Sequence, residues 1–155
     1  MNTTDTKPQS DKTVQELLAV GHERVYTETN WYDGPRSGVA DVRGVPHYFV
    51  TDISAGASLD WYLVWPVEPA VLKSEKASYG MFVEWWRQFE AGEVGIDTHP
   101  LNSDADSPYN KLAAQLLAHR NPPANARKMA AEWRMTSQPR HSADGPCYLM
   151  KWTER

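Results

Sequence analysis

Between Trp31 and Tyr48 the chain reads W-Y-D-G-P-R-S-G-V-A-D-V-R-G-V-P-H-Y, and two turn signals inside it leave few folds open. In Asp33-Gly34-Pro35 the glycine can take a positive φ, while the proline fixes its own φ and forbids a helix. Arg43-Gly44 reverses the chain a second time, and the flanking segments are rich in Val, Tyr, Trp, Phe and Thr. The pattern predicts a three-strand antiparallel meander over Glu23 to Tyr32, Arg36 to Val42 and Val45 to Ile53. In the first strand Val25, Thr27, Thr29 and Trp31 alternate with Tyr26, Glu28, Asn30 and Tyr32, the period of a half-buried strand. Arg43-Gly44 suits either a two-residue loop or a type I turn with a glycine bulge. The choice moves Val39, His47 and Tyr48 between faces.

Around the meander, residues 1 to 12 hold no apolar anchor after Met1 and read as a disordered tail, leaving residues 13 to 155 as a single domain. Thr13-Val14-Gln15-Glu16 matches a capping box and starts a short helix that closes near Gly21. Leu59 to Val67 reads as a fourth strand. Glu68-Pro69 opens the main helix, with Leu72, Tyr79, Phe82, Trp86 and Phe89 on one stripe, Trp85 at its margin, and Gly92 as its stop. After a polar linker from Gly95 to Ser107, Asp106 or Ser107 caps a helix carrying Pro108 at its first position. Asn121-Pro122-Pro123 breaks that helix, and Ala124 to about Glu132 reads as a further short one. Trp133 to Thr136 and Tyr148 to Trp152 read as strands around a turn-rich segment. Strands, then helices, then strands predict an α+β fold: a bent antiparallel sheet or small barrel with two to three helices on one side.

At 155 residues the chain can bury about two-thirds of its unfolded surface in one core. Seven Trp, seven Tyr and three Phe imply a core built largely of rings. A formal net charge of −4 offers no general attraction for phosphate backbones, so nucleic acid is not an expected partner. Arg120, Arg127, Lys128, Arg134 and Arg140 read more simply as a solvated face. No apolar run approaches the roughly 18 residues of a membrane span. The lone Cys147 and the lack of a charged-then-apolar leader fit a cytoplasmic setting.

Motifs for chemistry are sparse. The histidines His22, His47, His99, His119 and His141 show no metal-ligand spacing, so neither metal nor cofactor is expected. Asn102-x-Asp104-x-Asp106 begins like a calcium loop, but Ser107 and Ala113 stand where Gly and Glu are required. Cys147 with His141 and Asp144 has the atoms of a thiol hydrolase, though a Cys in a strand pattern is more simply a small buried hydrophobe. Arg36 stands out because a guanidinium beside Trp31 and Tyr32 can stack, pair with Asp33 or hold an anion. The binding candidates are Tyr32, Arg36, His47, Trp61, Trp65 and Trp85, since exposed Trp and Tyr anchor protein interfaces.

The run W-Y-D-G-P-R-S-G-V-A-D-V-R-G-V-P-H-Y-F, followed by Y-L-V-W-P-V and E-W-W-R-Q-F-E-A-G, resembles a group of small uncharacterised bacterial proteins with a WYDGPR-type hairpin. The resemblance covers about Val25 to Pro100 and implies a bacterial, single-domain protein without supplying an activity. The surplus of aromatics without catalytic spacing favours a non-catalytic protein-binding module, of the size and acidity of an immunity protein or antitoxin. The alternative is a small enzyme, such as a hydrolase, whose site near residues 31 to 48 would gather at least two of Asp33, Arg36, His47 and Tyr48. A homo-oligomer is compatible with either.

Overall fold

The computed structural model describes residues 13–55 and 60–154, so the expected tail and part of the loop after the meander lie outside the described residues. The element order is α1 (Val14–Ala19), β1 (Val25–Trp31), β2 (Pro35–Val42), β3 (Val45–Thr51), β4 (Trp61–Pro66), α2 (Pro69–Glu90), α3 (Pro108–Leu116), β5 (Arg127–Met135), β6 (His141–Ser142), β7 (Gly145–Pro146) and β8 (Tyr148–Glu154). Strands β1-β2-β3-β4-β5-β8 form one antiparallel sheet in that order. Just before β1, Glu23 exchanges two backbone hydrogen bonds of 2.7 and 3.1 Å with Met150 of β8, so the sheet curls into a half-barrel. The α+β fold with a bent antiparallel sheet is therefore present.

Local chemistry explains the elements. Thr13 Oγ1 accepts from Glu16 N while Glu16 Oε1 accepts from Thr13 N, closing the capping box of α1. Val42 pairs directly with Val45 across Arg43 and Gly44, both at positive φ, a two-residue loop whose twist matches the strands. That register sets Val39 opposite Tyr48 and Ala40 opposite His47. Val39 and Tyr48 then face the helices, and Ala40 and Phe49 face the inside of the curl.

The inner face holds the main core: Val25, Ala40, Val42, Phe49, Tyr62, Val64, Met129, Met135, Tyr148 and Met150, with Trp31, Trp133 and Trp152 packed against it. Each large apolar side chain buried there contributes roughly 1.5–3 kcal/mol of transfer free energy. Tyr62 is fully buried, and its hydroxyl donates to Pro35 O at 2.7 Å, so that hydroxyl is satisfied. On the outer face Val39, Tyr48, Trp65 and Val67 receive Val71 and Leu72 of α2. No helix among the described residues is long and apolar enough to cross a membrane.

Two expectations need correction. The segment from Ala124 to Glu132 is not a helix, because Arg127–Met135 is strand β5, paired with both β4 and β8. Its alanines favour a helix locally, but Met129, Ala131 and Met135 fall at a two-residue period into the core, and sheet pairing on both sides overrides propensity. The strict alternation expected along β1 also fails. Register shifts between Val25 and Thr27, between Glu28 and Asn30, and between Asn30 and Trp31 place Glu28 and Trp31 against the same neighbour, Tyr148.

Candidate functional site

A cleft of about 240 Å³ opens where the sheet runs out at β1. Its floor is five successive residues of that strand, Thr27 to Trp31. One wall is α2, through Glu75, Ser78, Tyr79 and Phe82; the other is His99 and Leu101 together with Tyr109 and Ala113 of α3, and Arg120 closes one end. The polar linker that carries His99 is folded onto α2: Trp85 Nε1 donates to Thr98 Oγ1 at 2.8 Å, and the Trp85 and His99 rings lie 4.8 Å apart.

Two carboxylates fix the walls. Glu75, 2% exposed, accepts from Arg120 Nε and Nη2, both at 2.9 Å, and from Tyr48 Oη at 2.6 Å, tying α2 to β3 and to the turn after α3. Glu28 accepts from Arg140 Nη2 at 3.0 Å to each oxygen and from Tyr148 Oη at 2.8 Å. Arg140 also lies over the Trp31 ring, 4.6 Å from its centroid. Each carboxylate thus has one guanidinium and one phenol, the set a buried charge requires.

Beside Glu28 stands His141, boxed by Phe82 at 4.9 Å, Trp86 at 5.0 Å and Tyr79 at 5.8 Å between ring centroids. His141 Nδ1 and Tyr79 Oη share a 2.7 Å hydrogen bond, while Nε2 is 3.9 Å from Glu28 Oε2. Burial, reinforced by the charge of Arg140, pushes the imidazole down to about 3. Burial raises the phenols of Tyr79, Tyr48, Tyr109 and Tyr148, the first with help from Glu28 and the second from its bond to Glu75, and lowers His99. These shifted groups all hold their neutral forms near pH 7. The cleft offers ring faces and hydrogen-bonding groups.

Residues expected from the sequence to bind lie elsewhere, and they do not share a surface. Tyr32 is 72% exposed. Arg36 is buried and donates to the carbonyls of Gly34 and Asp33 and to Thr51, and His47 Nδ1 is bonded to Val45 O. Trp65 stacks on Tyr48 and donates to His119 O, Trp85 is buried under the linker, and Trp61 is half-buried beneath Lys128. Tyr48 lines a shallow cleft with Trp65, Val71 and His119 that takes in none of Asp33, Arg36 and His47. Among the described residues no group of three or more His, Cys, Asp or Glu could hold a metal ion.

No family model, curated protein or solved structure matches the chain. The site is read from its own geometry. One signal for it was present in the sequence: Glu75 lies three residues after Leu72 and four before Tyr79, a charge inside an apolar stripe. Glu28, Arg140 and His141 carry no comparable mark.

Proposed function

We propose that the protein is a binding module that grips an extended segment of a partner protein along the cleft edge of β1. The observation that carries this reading is the state of that edge. β1 ends the sheet, and beyond the Glu23–Met150 bridge its side facing away from β2 has no backbone partner among the described residues. The β6-β7 hairpin covers only its start: a Cβ on Gly145 would lie 2.2 Å from Val25 O, so glycine alone permits that approach. From Thr27 onward the strand faces the cleft.

An unpaired edge beside a cleft is what strand addition uses, with main-chain bonds for affinity and flanking pockets for specificity. Thr29 has no register partner on β2, so its backbone is free of that ladder. Such a bulged edge suits a short, side-chain-dependent contact and resists indiscriminate edge-to-edge pairing. Leu101, 59% exposed on the cleft wall, supplies an apolar contact beside it. The tryptophans do not serve as surface anchors in this reading, because none of the seven ranks among the exposed large side chains. A lone, buried Cys147 thiol accords with work in a reducing cytoplasm.

The test is selection of random peptides on the immobilised chain, followed by amide hydrogen exchange with each recovered peptide. Protection confined to residues 27–31 and 99–103, with binding lost in Thr29→Pro and Leu101→Asp variants that keep the native near-ultraviolet spectrum, supports the proposal. Recovered peptides that bind both variants unchanged, or that protect other segments, overturn it.

A further inference from the structure

Resting on that reading, we infer that the cleft seats an alkylammonium group, the side chain of a lysine or N-methyl-lysine in the partner segment, against the rings of Tyr79, Phe82, His99 and Tyr109. All four residues line the cleft. Their rings follow one another around it, with Tyr79 to Phe82 at 6.1 Å, Phe82 to His99 at 5.7 Å and His99 to Tyr109 at 6.4 Å between centroids. Ring faces grouped in this way attract a cation through their quadrupoles, most strongly where water is partly excluded. The same chemistry already operates next door, where Arg140 lies over Trp31.

Charge around the cleft selects the sign of the occupant. The two lining carboxylates are matched by Arg120 and Arg140, so the interior is balanced. The loop that carries His99 and Leu101 is not balanced: it holds exposed Asp97, Asp104 and Asp106, and no Lys or Arg occurs between Gly92 and Asn110. His99, held neutral by burial, adds no opposing charge. An anion would approach past this acidic loop and meet ring faces that repel it.

Geometry selects ammonium over guanidinium. A guanidinium also stacks on rings, as Arg140 does on Trp31, but it does so here while bonded to a carboxylate that takes up its donors. Glu75 is already held at two points by Arg120, and both oxygens of Glu28 are taken by Arg140. A trimethylammonium, with no donors to satisfy, needs only the rings, and a primary ammonium can turn its three donors toward water at the cleft mouth. In a cleft of about 240 Å³ a compact head on a slender stem fits beside the strand edge.

The experiment is a nuclear magnetic resonance titration of the full chain with Nα-acetyl-lysine methylamide, its Nε-trimethyl form, and the norleucine, arginine and glutamate analogues, with n-butylammonium as a separate arm. Lysine and trimethyl-lysine should shift the signals of Phe82, His99 and Tyr109 and bind roughly tenfold tighter than norleucine. Phe82→Leu and Tyr109→Leu, each checked for a native spectrum, should remove that advantage. Butylammonium binding as tightly as the lysine compound would uphold the ammonium site and name a free amine as its occupant. Equal binding of norleucine, preference for arginine or glutamate, or indifference to both leucine variants would overturn the inference. If selected peptides need Thr29 yet carry no lysine, the binding-module reading stands and this inference alone fails; if lysine compounds bind while peptides ignore Thr29→Pro, the reverse holds.

Discussion

Arg140 Nη2 lies 3.0 Å from both carboxylate oxygens of Glu28, across 112 residues of sequence. The contact pins the turn-rich segment after β5 to β1, an edge strand of the sheet. Through Tyr148 Oη the same carboxylate reaches β8, and through Arg140 it reaches the face of Trp31. The half-barrel is thus held at its open seam by a charge pair stacked among rings.

Removing Glu28 should therefore loosen the seam rather than only the cleft. Glu28→Ala leaves Arg140 and Tyr148 without their shared acceptor in a site where the carboxylate is 8% exposed, and a loss of about 2–3 kcal/mol is expected. Glu28→Gln, which keeps an acceptor, should lose less. Urea unfolding followed by tryptophan fluorescence reads both. A Glu28→Ala midpoint equal to that of the parent would show that the pair contributes nothing to stability.

At Glu75 the two supports should be interdependent. Tyr48→Phe removes one donor and is expected to cost about 1–2 kcal/mol, since Arg120 still holds the carboxylate. Arg120→Met strands a carboxylate that is 2% exposed and should cost about 3 kcal/mol or more. Because both donors reach Oε2, the double variant should depart from additivity by at least about 0.5 kcal/mol. A double-mutant cycle in chemical denaturation measures this, and strict additivity would mean that the two contacts act separately.

Much of the architecture was legible because its signals are local. The capping box at Thr13, the turns at Gly34 and Gly44, the start of α2 at Pro69 and the Ser107 cap all follow from neighbours a few residues apart. The rest of the architecture is set by nonlocal contacts. β5 is a strand because β4 and β8 flank it, in spite of its alanines. The bulges of β1 are invisible to a period-two pattern, and they put Glu28 on the same partner as Trp31. The pairing of Arg140 with Glu28 has no spacing to betray it. The aromatic surplus predicts a core of rings, and most rings are buried or half-buried; Trp65 and Trp85, expected at a binding surface, are buried instead, Trp65 against Tyr48 and His119 and Trp85 against His99.

Gly34 tests the meander itself. Its φ is +120°, and a Cβ there would lie 2.6 Å from Arg36 Nη2 and 3.0 Å from Trp133 Nε1. Arg36 cannot swing aside cheaply, because it is buried and bonded to Asp33 O and Gly34 O. Gly34→Ala adds backbone strain of about 1–2 kcal/mol to this crowding, so a total loss of about 2 kcal/mol or more is expected. Thermal unfolding by circular dichroism reads it. An unchanged midpoint would require the turn to adopt another conformation.

His141 should make stability depend on pH in a definite direction. Burial and the charge of Arg140 hold the folded imidazole at about 3, against an ordinary value of 6.5. Between those limits the unfolded chain binds a proton at this ring and the folded chain does not, so stability rises with pH across the window. The contribution is fully present above about pH 6.5 and is lost as pH falls toward 3, with a limiting slope of about 1.4 kcal/mol per pH unit. His141→Gln keeps a partner for Tyr79 Oη but cannot titrate. Urea midpoints taken between about pH 7 and pH 5, where most carboxylates stay ionised, should therefore fall more steeply for the parent than for the variant. The depressed His99 is common to both proteins and drops out of the comparison. Parallel slopes would mean that the folded chain accepts the proton, which the ring box of Phe82, Trp86 and Tyr79 opposes by excluding water from the charged imidazole.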